Sequence, residues 1–149
     1  MASARVYPYS AGTGSHHLTH GAKAGLLRGI EEFNRGEFFQ AHETWETLWL
    51  RADGEQKRFL QGVIQIAAAF HHWRQGNPQG ALSLLRKAKV ALEDFPRSYG
   101  GIQLGRLRRD AMRWMDILDR GGVPRALPHI QAVAPPRRRS GATASQASV

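Results

Sequence analysis

Between residues 22 and 120 apolar side chains recur every three to four positions, the spacing that lines one face of an α-helix. Nowhere in that stretch do they alternate in the two-residue rhythm of a half-buried strand. The pattern predicts five helices, at 22–34, 37–51, 55–75, 78–95 and 103–120, joined by short loops. Short connections between amphipathic helices make neighbours antiparallel, so the expected fold is all-α, a single compact up-and-down bundle of about five helices. Periodicity stops at both ends, where most prolines gather, so residues 1–20 are expected as a flexible leader and 121–149 as a disordered Pro/Arg/Ser-rich tail around a 21–120 domain.

The individual helices differ in how much of their surface is apolar. In the fourth, Asn77 is a good N-cap and Pro78 sits where its missing N–H leaves no bond unmade. Ala81, Leu84, Leu85, Ala88, Ala91, Leu92 and Phe95 share one arc there, opposite Ser83, Arg86, Lys87 and Asp94, and Pro96 closes the helix. In the fifth, Leu104, Leu107, Ala111, Met115 and Leu118 form the stripe while Arg106, Arg109, Asp110 and Arg113 face outward. The third is apolar almost all round, through Phe59, Leu60, Val63, Ile64, Ile66, Ala67, Phe70 and Trp73, which predicts a central helix packed on several sides. Its one polar stripe is Gln61, Gln65 and His72, bordered by Gly62, Ala68 and Ala69, small residues that let another helix come close. His71 falls on the apolar side, as a core histidine bonded to a carbonyl would.

The second helix carries polar groups inside its apolar arc. Phe38, Phe39, Trp45, Leu48, Trp49 and Leu50 define that arc, and His42 and Glu46 fall within it, with Glu43 at its edge. Both are therefore expected to be at least partly buried, one turn apart and able to touch. A buried carboxylate needs a partner, and the Gln61, Gln65 and His72 stripe is the natural supplier. The plain reading is a hydrogen-bonded pair that fixes helix register. The sharper one is a candidate polar site of His42, Glu43, Glu46, Gln61, Gln65 and His72. A divalent metal would use His42, Glu46 and His72, two ligands one turn apart and a third from a neighbouring helix, with the glutamines orienting them. Acid–base or ligand-binding use without metal draws on the same residues. The string His42-Glu43-Thr44-Trp45-Glu46 shares only the first two positions of the zinc-binding H-E-x-x-H motif, because the second histidine is missing.

Composition removes several classes of function. There is no cysteine, which excludes disulfides, thiolate metal sites and a cysteine nucleophile. No apolar run is long enough to span a bilayer and the start lacks a secretory signal, so a cytoplasmic protein with no membrane partner is the expectation. The net charge of +9 is concentrated late. Residues 1–100 hold 12 basic and 9 acidic side chains, residues 101–149 hold 9 and 3, and the run Arg137, Arg138, Arg139 lies in the tail. His16, His17 and His20 fall in the leader, where they read as solvated.

The segments FNRGEFFQAHETWETLW and RFLQGVIQIAAAFHHWRQGNPQGALSLLRKA closely resemble the helical proteins grouped as the domain-of-unknown-function family numbered 309. The resemblance runs through Gly36, Phe38, Phe39, Ala41, His42, Glu43, Glu46 and Trp49, then Leu60, Gln61, Gly62, Ile64, Gln65, His71 or His72, Gly76, Asn77, Gly80 and Ala81. It covers residues 30–95 strongly, and it implies a compact helical bundle without bringing an activity. Gly36 to Ala41 and Gly76 to Ala81 also repeat one Gly-x4-Ala spacing, 40 residues apart, which reads as two helical hairpins rather than a longer tetratricopeptide-like array.

Three functions compete on these grounds. The first is a metal or small polar ligand site in the His/Glu/Gln cluster. The second is a protein-interaction module with a purely structural cluster, its partner another protein or a second copy. The third, ranked last for want of any base-reading motif, is nucleic-acid association through Arg106, Arg108, Arg109, Arg113 and the basic tail.

Overall fold

Two of the inter-helix connections are the same turn, and its chemistry is local. Gly36 and Gly76 take φ of 80° and 79°, a conformation in which any side chain is strained. Each ends its helix with paired amide bonds. The Gly36 N–H donates to the Phe33 carbonyl and Glu37 N–H to that of Glu32, just as Gly76 N–H donates to Trp73 and Asn77 N–H to His72. The Gly-x4-Ala echo in the sequence is this repeated hairpin.

The computed structural model describes residues 20–133. Along that stretch run α1 (His20–Asn34), α2 (Phe38–Arg51), α3 (Gly54–Arg74), α4 (Pro78–Leu92) and α5 (Leu104–Asp119). Each helix packs on its sequence neighbour through α4 and α5, which is the expected up-and-down bundle. Strand-like pairing among the described residues is limited to isolated bridges of Ile102 with Tyr99 and Ala132. No described helix is long and apolar enough to cross a membrane. The leader residues 1–19, including His16 and His17, and residues 134–149, including Arg137, Arg138 and Arg139, lie outside the described residues.

α3 is the axis of the core. Phe59, Val63, Ile66 and Phe70 are completely buried, each contributing about 2 kcal/mol of hydrophobic transfer. Small residues set the closest approaches. A side chain at Gly62 would collide with Leu92 of α4, and one at Gly29 of α1 would collide with the indole of Trp45. Trp45 is fully buried there, its Nε1–H donating to the Leu26 carbonyl at 3.2 Å. Arg74, at the end of α3, donates to the Gly36 carbonyl and lies 4.6 Å over the Phe38 ring, tying the first hairpin turn to the third helix.

Two regions differ from the sequence expectation. α4 stops at Leu92 rather than 95, because Pro96 biases Phe95 away from helical backbone. Residues 121–133, expected with the tail, turn back from α5 and pack as a strap. Ile130 is buried, Pro124 and Pro128 are buried beside it, and Trp114 Nε1–H donates to the Ala126 carbonyl at 3.1 Å. Asn34 holds the strap from the far end of α1, its side-chain amide donating to Ile130 O at 2.9 Å and its oxygen accepting from Ile130 N–H at 2.8 Å. Leu127 and Ile130 supply enough apolar surface to order these residues despite their prolines.

Candidate functional site

The polar cluster of α2 and α3 is only partly assembled. His42 Nδ1 lies 3.9 Å from Glu46 Oε2, so the one-turn pair does meet. The carboxylate, however, is on the outside, with 52% of the Glu46 side chain exposed against 28% for His42. Glu43 and Gln61 are exposed as well. His72 is engaged elsewhere, within 3.2 Å of the Asn77 side-chain amide at the α3–α4 turn. Consequently His42, Glu46 and His72 do not come together as a ligand set, and among the described residues no three histidine, aspartate or glutamate side chains are placed to hold a metal ion. The expectation of a buried Glu46 supplied by the glutamine stripe is corrected on the same ground. What is buried is a pair of polar atoms with no hydrogen-bond partner, His42 Nδ1 and Gln65 Oε1, on two helices packed against each other.

Beside that seam sits an aromatic ridge, on residues that the spacing of α2 assigns to the core. Phe39 is half exposed, stacks on the His42 ring at 6.1 Å and leans on His71 at 5.2 Å. Among the described residues the buried carboxylate is a different one. Glu32 of α1 is almost fully enclosed and accepts from the Thr44 hydroxyl at 2.5 Å.

α5 carries the second candidate. Its core face is Leu104, Leu107, Ala111, Trp114 and Leu118, with Met115 only half buried. Trp114 fills the place because its ring meets both Phe70 and Trp73 edge-on, at 4.5 and 5.0 Å. The outward face presents Arg106, Arg109 and Arg113, as expected from spacing, all exposed. On one flank an open groove of about 690 Å³ lies between α4 and α5. Its apolar lining is Ile66, Leu92 and Ala111, all buried, with Met115 half buried and Met112 46% exposed at its edge. Lys89, Arg97, Arg106, Arg108 and Arg109 surround it with a single acidic neighbour, Glu93. On the other flank a cavity of about 630 Å³ separates α5 from the strap, lined by Arg106, Arg113 and Arg125.

These cations are not alike. Arg108 is structural, donating to the carbonyls of Leu92 and Phe95, both at 2.6 Å, which closes the frayed end of α4. Arg106 donates to the Gln131 side chain at 2.9 Å and so touches the strap. Lys89, Arg97 and Arg109 make no side-chain bond or ion pair among the described residues. In the turn before α5, Tyr99 packs on Phe59 and Phe95 at 4.7 and 4.8 Å. Burial, reinforced by the Glu55 carboxylate that accepts from its hydroxyl at 3.5 Å, pushes the Tyr99 phenol up from 10.0 to about 12. Sequence spacing finds the three outward arginines of α5. It does not find the groove, where α5 meets residues of α3, α4, the turn before α5 and Val133 of the strap.

The pattern of the domain of unknown function DUF309 matches residues 26–84. Over 77 residues, 51% of this chain, the sequence is 35% identical to an uncharacterized protein of Aquifex aeolicus (strain VF5). That match takes in 23% of the relative, so the chain spans about a quarter of its length. A solved structure, that of a conserved hypothetical protein of Thermus thermophilus, is 38% identical and superposes with a TM-score of 0.55 over 60% of this chain and 94% of its own. The His42 to His72 cluster falls inside the matched stretch, whereas α5 and the strap come after it. By pattern, identity and fold, the chain belongs to the DUF309 family.

Proposed function

We propose that this domain is a protein-interaction module whose working surface is the groove between α4 and α5. One observation carries the reading: a groove in which the accessible apolar side chains Met112 and Met115 stand among cations, of which Lys89, Arg97 and Arg109 have no ionic partner among the described residues. Apolar surface ringed by unpaired charge is the composition of a surface that meets a partner. A photo-crosslinking residue placed at Met112 in the groove, and separately at Phe39 on the α2 ridge, tests it in the cell. Protein adducts from position 112 and none from position 39 are expected; the reverse pattern, or none from either, overturns it.

A second reading is favoured by His42 Nδ1 and Gln65 Oε1, buried without a hydrogen bond, which suit a small polar ligand at the α2–α3 seam. Gln65 Oε1 can only accept and His42 Nδ1 donates or accepts with its tautomer, so the ligand that suits the seam is one that offers a hydrogen-bond donor. Native mass spectrometry of the purified full chain should then show a bound adduct that His42→Ala removes, and its metal content should be unaffected by the same substitution.

A further inference from the structure

We infer that the α4–α5 groove takes an acidic amphipathic α-helix from a partner protein, an inference that rests on the interaction reading above. A channel between two helices offers two parallel walls, into which the ridges of a third helix pack. Cations outnumber the one carboxylate of the lining: Lys89 stands on α4 with Glu93 one turn on at its end, Arg106 and Arg109 on α5, and Arg97 at the turn between them. A helix laid along the channel therefore meets positive charge on each side of its apolar stripe, which fits a sequence with acidic residues flanking leucine-like anchors. Met112 and Met115 give the floor unbranched side chains that adapt to such anchors.

The chain's own ends do not match this surface. Residues 1–19 and 134–149 contain no aspartate or glutamate, and the second stretch carries Arg137, Arg138 and Arg139, so like charge sets both against the groove. Nucleic acid fits less well, because the lining contains no aromatic ring on which a base could stack. Charge complementarity and an apolar floor together select a folded acidic helix over an extended polyanion.

The experiment uses the full chain and fluorescence anisotropy with three labelled probes. One is a helical peptide of about 18 residues, five turns, with leucines on one face and glutamates on its flanks. The second has the same composition in shuffled order, and the third is single-stranded DNA of similar length. The amphipathic peptide is expected to bind at least about tenfold more tightly than the shuffled one. Arg109→Glu, Lys89→Glu and Met112→Asp should each weaken it by about tenfold. Thermal midpoints of the three variants should stay within a few degrees of the parent, separating lost binding from lost fold. Equal binding of the shuffled peptide, or binding of DNA without the amphipathic peptide, overturns the inference. So does self-association, seen by sedimentation, that Arg109→Glu dissolves, because the occupant is then a second copy. Crosslinks from position 112 with no peptide binding overturn the partner's chemistry alone and leave the interaction module standing; failure of both removes the module as well.

Discussion

The seam between α2 and α3 and the groove between α4 and α5 both set polar groups beside apolar ones, and they differ in which side of the contact faces water. At the seam two polar atoms, His42 Nδ1 and Gln65 Oε1, are closed in without a hydrogen bond, and the Glu46 carboxylate that meets His42 at 3.9 Å is itself half exposed. At the groove Lys89, Arg97, Arg106 and Arg109 are exposed, and Met112 and Met115 are the apolar side chains that reach the surface beside them. A buried unpartnered atom costs stability and a free surface cation does not. The seam therefore reports on folding, and the groove on association. The comparison also divides the chain: the seam lies within the stretch shared with the DUF309 pattern, and the groove is built chiefly from residues C-terminal to it.

The strongest way to break the comparison is to remove what the two regions share. Gly62→Val forces a branched side chain into Leu92, and about 3 kcal/mol of stability should go with it. Urea denaturation should show a lower midpoint, and both seam and groove should be lost together. Arg108→Met is the next largest, at about 2 kcal/mol, since charged hydrogen bonds to the Leu92 and Phe95 carbonyls disappear. Arg109→Met, one residue along, should stay within about 0.5 kcal/mol by the same measurement. Equal effects of the two would erase the distinction between structural and free arginines. At the seam, Gln65→Leu deletes a buried oxygen that has no partner and should be neutral or stabilise by up to about 1 kcal/mol. A clear loss of stability would show instead that the oxygen is satisfied by a bound molecule.

The smallest effect is confined to alkaline pH. Below pH 10 the Tyr99 phenol is protonated in folded and unfolded chains alike. Between 10 and about 12 the unfolded chain releases its proton while the folded chain holds it. Stability therefore falls as pH rises through that window. Thermal melts of Tyr99→Phe should lose part of this decline, and an unchanged slope would mean that the turn before α5 is more open than the packing of Tyr99 on Phe59 and Phe95 implies.

Much of the fold is legible in the sequence because its signals are local. Asn77 caps α4 by accepting from Gly80 N–H at 3.0 Å, Pro78 opens that helix, and the glycine turns stand where their spacing puts them. Gly62 marks the close approach of a neighbour without naming that neighbour. The polar cluster misleads for a specific reason. Spacing places Phe39 and Leu50 in the apolar arc of α2, although they are 49% and 67% exposed. Without them the arc centres on Phe38, Ala41 and Trp45, and Glu46 falls outside it. A hydrophobic side chain on the surface thus draws a carboxylate toward the core in any reading by spacing alone. The groove and the strap are invisible for the opposite reason, since each depends on surfaces contributed by segments far apart in the chain.

The clasp between Asn34 and Ile130 sets a timetable for synthesis. Its two halves are 96 residues apart, and translation proceeds at about 5–20 residues per second. Asn34 thus waits roughly 5 to 20 seconds for the backbone it will grip. During that interval Trp114's contact surface on Phe70 and Trp73 is still being made, and the helical hairpins stand as an unfinished nascent chain. The domain closes only when the strap has emerged, which makes this span of synthesis the period in which a chaperone would find the most apolar surface to hold.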